Sequence, residues 1–138
     1  MKKVYKIFLG ILAAVIIVAV VFGLYLNYYL PDAGKASSIS IEHTPQRIER
    51  GRYLAHHVAV CMDCHSTRDW SRFAGPLAGS PGAGGEKFGK EMGFPGTIYS
   101  PNIAPYRLSN WTDGELLRAI TSGVDKEGKA LFPVMPYH

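Results

Sequence analysis

Cys61-Met62-Asp63-Cys64-His65 is the stretch on which the reading of this chain turns. Two thiols at this spacing can each add to one vinyl group of a haem. The imidazole that follows is then held beneath the iron, so one pentapeptide supplies both attachment and a proximal ligand. The motif uses both cysteines of the chain. Three blander uses of the pair stand beside this one. A disulfide would suit an oxidising compartment, a dithiol redox centre would require a βαβ context, and a structural zinc would require a second Cys or His pair. Neither the βαβ pattern nor the second pair is visible, and none of the three accounts for His65. The expectation is one covalently attached haem c, with Cys61 and Cys64 as thioethers and His65 as axial ligand.

Upstream lies an address. The segment 7–26, IFLGILAAVIIVAVVFGLYL, carries no charge. As a helix it would rise about 1.5 Å per residue and cover roughly 30 Å, the thickness of a bilayer's hydrocarbon core. Lys2, Lys3 and Lys6 precede it, while Tyr25, Tyr28 and Tyr29 follow at the far end. That asymmetry predicts a single-pass anchor with a cytoplasmic N-terminus and everything after Leu30 outside the cytoplasm. A cleaved signal peptide with a cut after Ala36 is the rival, disfavoured because the apolar run is too long and ends well before that site. From Pro31 onward 12 Lys and Arg face 11 Asp and Glu. The formal charge of +4 is therefore mainly a targeting feature, and a basic surface for nucleic acid is not expected.

Residues 1–30 are thus expected to be the anchor, 31–44 a small polar tether, and 45–138 the haem domain. Thr44-Pro45, a cap followed by proline at the first helical position, predicts a helix over 45–60. One side of it is mainly apolar, formed by Ile48, Leu54, Ala55, Val58 and Ala59, while Arg47, Arg50 and Arg52 stay solvated. Gly51 in that helix points to close approach by another backbone. Residues 66–110 show no sustained periodicity and are rich in glycine and proline, yet Phe73, Phe88, Phe94, Ile98 and Tyr99 are too apolar for a disordered linker. A loop that wraps a haem and uses it as core reconciles the two. Thr112 and Glu115 form a capping box for a second helix that stops at Gly123, and 125–128 is a turn.

The distal ligand is less constrained. Met62 sits on the proximal side, inside the attachment loop. Met135 lies between Pro133 and Pro136, which predict a rigid extended strand for the thioether, and a Met/His pair has precedent at haem iron. Met135 is the preferred candidate, with Met92, His43, His56, His57 and His138 as rivals.

The chain resembles the class I c-type cytochromes, in particular bacterial membrane-anchored mono-haem types and cytochrome subunits of periplasmic dehydrogenases. The resemblance rests on Arg50-Gly51-Arg52-Tyr53-Leu54, the pentapeptide at 61–65, Ser100-Pro101-Asn102-Ile103, Trp111-Thr112-Asp113-Gly114-Glu115 and Leu131-Phe132-Pro133-Val134-Met135-Pro136-Tyr137. It implies an all-α fold of helices and long loops wrapped around haem. It also implies His65 and Met135 as axial ligands, and Pro101 packed at the haem near His65. Trp111 and Arg107 are candidates for a propionate contact, with a core tryptophan and a surface arginine as the plain alternatives. The sequence departs from the family after Ile103, where Ala104-Pro105-Tyr106 replaces the frequent Thr-Pro-Asp. It also stops three residues past Met135, where family members continue into a helix that crosses the first one. A truncated C-terminus and an exposed apolar strip around Tyr53 and Leu54 are therefore expected.

The functional expectation is one-electron transfer by an extracytoplasmic domain on the bacterial inner membrane, without catalytic turnover or a small-molecule substrate. Its partners would be redox proteins: a dehydrogenase, a quinol-oxidising complex or a terminal oxidase. A haem peroxidase or gas sensor with a labile distal ligand is one alternative. A non-catalytic subunit docked on a dehydrogenase or oxidase is another.

Overall fold

An all-round apolar sequence without interior proline gives α1, Lys2–Tyr29, in the computed structural model, which describes residues 2–135 and 137. Such a helix has no polar face to present to water. The span Lys3–Tyr29 is long and apolar enough to cross a membrane, and none of its most apolar window is buried within the chain. The predicted run 7–26 lies inside it. Tyr25 and Tyr29, one turn apart at its end, stack with ring centroids 5.7 Å apart.

The chain divides into two compact units, Met1–Ile39 with Asp113–His138, and Ser40–Thr112. In the first, α1 and the polar stretch after it are joined by α2, Asp113–Ser122. α2 stops where expected, because Gly123 adopts φ +64° and its N–H still reaches the Ala119 carbonyl at 3.2 Å. The predicted turn at 125–128 closes an antiparallel bridge between Val124 and Ala130, with the Lys129 N–H on Asp125 Oδ1 at 2.8 Å. Gly114 lies so close to Ser37 that a Cβ there would run into the Ser37 carbonyl. Arg118 donates to the carbonyls of Gly34 at 2.9 Å and Asp125 at 2.7 Å. Val124 is the one large apolar side chain that is fully buried among the described residues.

In the second unit, α3, Pro45–Tyr53, begins as its sequence predicts, with the Arg47 N–H donating to the Thr44 hydroxyl at 3.3 Å and proline in the first turn. It does not run on to Val60. From Leu54 to Val58 the helix widens into a π turn, with the Ala59 N–H on the Leu54 carbonyl at 2.8 Å. The extra residue in that turn shifts the helical phase and breaks the single apolar side expected over 48–59. Val60 then takes a left-handed conformation, φ +47°, which turns the chain into α4, Cys61–Cys64. Ile48, Tyr53 and Leu54 are exposed, as expected for that strip. Gly51 stands in open space, with nothing within 4 Å of where a Cβ would be.

The all-α expectation needs a correction. The chain is rich in helix, but β1, Lys87–Phe88, pairs antiparallel with β2, Ile98–Tyr99, in the register Lys87 to Tyr99 and Phe88 to Ile98. Two-residue strands are too short to show an alternating pattern in sequence. Further bridges join Ser66 to Gly84 and Arg68 to Leu77, so the glycine-rich stretch is folded upon itself.

Candidate functional site

The short helix α4 places Cys61 and Cys64 one turn apart, on the same side. It is closed by the His65 N–H on the Cys61 carbonyl at 2.9 Å. Both thiols are free, Cys61 half-buried and Cys64 exposed. Burial pushes the Cys64 thiol above its ordinary pKa; the neighbouring Asp63 charge adds to this and Arg68 opposes it.

His65 is only 7% exposed, and its Nδ1 lies 2.8 Å from the carbonyl oxygen of Pro101, 36 residues further on. A carbonyl can only accept, so Nδ1 carries a proton, and in the neutral ring the lone pair is then on Nε2. This tautomer is the one a metal ligand needs, with the non-ligating nitrogen tied to a backbone acceptor. Two unpaired thiols one helical turn apart, followed by an imidazole whose Nδ1 is tied to a backbone carbonyl so that the neutral ring offers Nε2, fit the attachment and ligation of haem c. Among the described residues no three His, Cys, Asp or Glu side chains converge on one point. The ligand set that a structural zinc requires is therefore not assembled there.

The segment 82–84 threads between the motif and the Pro101 segment. The Gly84 N–H donates to the His65 carbonyl at 2.7 Å, and the Gly82 N–H to the Ser66 hydroxyl at 3.0 Å. Ser66 is wholly buried. On the opposite edge the Ile103 N–H reaches the Gly82 carbonyl at 2.8 Å. A Cβ on Gly84 would stand 2.6 Å from the Ser100 carbonyl oxygen and 2.7 Å from backbone atoms of Pro101 and Asn102. Only glycine admits that approach.

Arg68 braces the motif from the far side. Its guanidinium pairs with Asp63 at 3.1 Å and donates to the carbonyls of Gly75 at 2.5 Å and Ala74 at 2.7 Å. The buried Glu86 accepts from the Arg68 N–H at 3.0 Å and from Trp70 Nε1 at 2.5 Å. In the sequence Gly82, Gly84 and Gly85 are only part of a glycine- and proline-rich stretch, Ser100 is only part of a motif of the resemblance, and Ser66, Arg68 and Glu86 are not singled out. Their partners lie 5 to 21 residues away along an aperiodic loop.

Met135 is half-buried and belongs to the first unit. The predicted extended strand around it is a turn instead, closed by the Val134 N–H on the Phe132 carbonyl at 2.8 Å. Pro133 cannot donate to a ladder, which leaves its neighbours free to fold back. Arg107 is exposed and Trp111 half-buried, on consecutive turns closed by Arg107 N–H to Ala104 O and Trp111 N–H to Leu108 O. His43, His57 and Met92 are exposed and His56 is half-buried. His57 lies beside the Tyr53 ring with centroids 5.4 Å apart. Pro136 and His138 lie outside the described residues.

No family model matches the chain. It is, however, 34% identical over 93 residues to the cytochrome c subunit of a quinone alcohol dehydrogenase from Gluconobacter oxydans, covering 65% of this chain and 17% of that protein. It is 35% identical over 94 residues to the gluconate 2-dehydrogenase cytochrome c subunit of Pantoea cypripedii, covering 65% and 18%. The fructose dehydrogenase cytochrome subunit of Gluconobacter japonicus is 35% identical over 98 residues, covering 69% and 18%. The similarity supports a cytochrome c type. The chain spans less than a fifth of the length of these curated relatives. Their shared character as cytochrome subunits supports haem binding and an electron-transfer role here.

Proposed function

We propose that this chain is a class I, mono-haem c-type cytochrome that carries single electrons for a membrane-bound dehydrogenase. The observation that carries the reading is the His65 ring itself. It is buried, directly follows two free thiols, and is held by the Pro101 carbonyl in the tautomer that leaves Nε2 able to ligate. Haem c in this site would supply an Fe(III)/Fe(II) couple. The chain's own residues would do the rest: Cys61 and Cys64 would hold the group by thioethers, and His65 and Met135 would ligate it. Pro101 packs at the ring, with Trp111 and Arg107 near the propionates.

In this reading residues 1–30 anchor the chain in the bacterial inner membrane, 31–44 tether it, and 45–138 form the haem domain on the extracytoplasmic side. With His65 and Met135 both ligating, the group would offer no open site for a substrate, and the domain itself would not turn over. Its donor is a dehydrogenase subunit. The relatives' names favour a subunit docked on such an enzyme over a free carrier.

The test is an absorption spectrum of the reduced protein, taken with and without carbon monoxide, on wild type and Met135→Ala. A c-type spectrum insensitive to carbon monoxide is expected for the wild type. In the variant, haem remains attached, the potential falls, and carbon monoxide binds. Ready binding by the wild type would point instead to a peroxidase or gas sensor. Unchanged spectrum and potential in Met135→Ala would remove the distal assignment.

A further inference from the structure

We infer that Ser100 is a positioning residue for the iron ligand. Its hydroxyl holds Ser100 in register against a bulge of the Gly85–Glu86 strand at the end of the small sheet, and that register sets the Pro101 carbonyl against His65 Nδ1. The inference rests on the reading of His65 as axial ligand.

The ladder of β1 and β2 runs from Phe88 opposite Ile98 to Lys87 opposite Tyr99, and its next step brings Glu86 opposite Ser100. At that step the pairing is irregular. The Ser100 N–H donates to the Glu86 carbonyl at 2.9 Å, but the Ser100 carbonyl accepts from Gly85, also at 2.9 Å, and not from Glu86. Gly85 and Glu86 thus oppose the single Ser100, the signature of a bulge whose extra residue lies on the β1 side, with Gly85 at φ +91°, and which fixes the register in which the segment beyond Ser100 continues. The Glu86 N–H, displaced from its ordinary acceptor, is taken up by the Ser100 hydroxyl at 3.0 Å. Ser100 is nine-tenths buried, and all three of its polar groups are spent on Gly85 and Glu86. An alanine at this position would leave a buried N–H without its partner.

On the strand opposite the bulge the residue after Ser100 is Pro101, whose carbonyl lies 2.8 Å from His65 Nδ1. A closed circuit results, from the His65 carbonyl to the Gly84 N–H, across the close approach of residue 84 to 100–102, and back to the His65 ring. Within it the Ser100 hydroxyl fixes the register of the segment that bears the acceptor. A strong Nδ1–H···O bond raises the basicity of the ligating nitrogen and favours Fe(III). Loosening the bulge should weaken that bond and raise the reduction potential.

The experiment compares haem-loaded wild type, Ser100→Ala, Ser100→Thr and Ser109→Ala, the last removing a hydroxyl that donates to the Tyr106 carbonyl on a neighbouring turn. Nuclear magnetic resonance reads exchange of the His65 Nδ1 proton, and a redox titration reads the midpoint potential. In Ser100→Ala the proton should exchange on the order of tenfold faster, the loss of about one hydrogen bond, and the midpoint should rise. Ser100→Thr keeps the hydroxyl and should leave both readouts within about twofold of wild type, well below the effect of one lost bond. Ser109→Ala should change neither.

Equal changes in Ser100→Ala and Ser100→Thr would overturn the inference, as would no change in either. Wild type alone also decides it should the alanine variant not fold. The Glu86 amide and the His65 Nδ1 proton must show common protection, and a freely exchanging Glu86 amide beside a protected His65 proton would overturn the assignment. A wild-type chain with no covalent haem would sink the reading of the site itself, which is a different failure and visible in its spectrum.

Discussion

Replacing Gly84 with alanine puts a methyl group into the segment that carries the Pro101 carbonyl. Two costs can be separated by treating Gly82 in the same way. Both glycines have left-handed backbones, φ +77° at Gly82 and +75° at Gly84. That conformation costs an L-residue roughly 1–2 kcal/mol, offset by about 0.4–1 kcal/mol from the stiffer unfolded chain. At Gly82 the nearest atom to a new Cβ is 3.5 Å away, an ordinary contact, so the net loss should be about 1 kcal/mol or less. At Gly84 three backbone atoms lie within 2.7 Å of it. Backbone cannot step aside as a side-chain tip can, which adds roughly 1–3 kcal/mol of overpacking. For a domain of this size about 1 kcal/mol moves the melting temperature by about 4–8 °C. Thermal unfolding of the haem-loaded variants by circular dichroism should therefore place Gly84→Ala on the order of 10 °C below Gly82→Ala. Equal melting temperatures for the two would refute the pinning of residue 84 between His65 and Pro101.

Other consequences can be checked in the same protein. Arg68→Met strips two carbonyls and Asp63 of a partner whose side chain is 17% exposed, and should cost about 2–3 kcal/mol by urea unfolding. Asp63→Asn, at a half-exposed carboxylate, should cost under about 1 kcal/mol, and a larger loss there than in Arg68→Met would contradict the ranking. Val60→Gly relieves a β-branched residue at φ +47° and should raise the urea midpoint by about 0.5–1 kcal/mol in stability, so a lower midpoint counts against a left-handed Val60. The Glu91 carboxyl, held below its ordinary pKa of 4.5 by its own backbone N–H and by Lys87 at 3.4 Å, supports the 89–93 turn. Because the folded value is the lower one, that support is present above the unfolded pKa and disappears as pH falls through the folded one. Titration by nuclear magnetic resonance should find a midpoint below that of a free glutamate, and an ordinary or raised midpoint would remove the contact.

Local chemistry is legible where it is written in adjacent residues. The cap at Thr44, the stop at Gly123 and the turn at 125–128 each depend on groups a few residues apart, and each stands where its sequence places it. The π turn at 54–58 is not legible. Its i→i+5 bond and the left-handed Val60 behind it answer to the join between α3 and α4, and no residue type in that stretch announces them. The proline flanking of Met135 suggests extension, whereas the chain folds into a turn there, since a fixed φ at Pro133 is compatible with both.

By itself the sequence determined the Cys61–His65 motif on which the proposed haem attachment rests, the apolar segment able to cross a membrane, and the residue proposed as proximal ligand. These are properties of short runs, in which spacing along the chain is spacing in space. Only the tertiary structure decided which nitrogen of His65 carries the proton, because its acceptor at Pro101 lies 36 residues away. It also decided what the small sheet and Gly84 contribute, namely to bring that carbonyl to the ring and leave room for it. A backbone carbonyl has the same chemistry at every position, so its role comes only from where the fold delivers it.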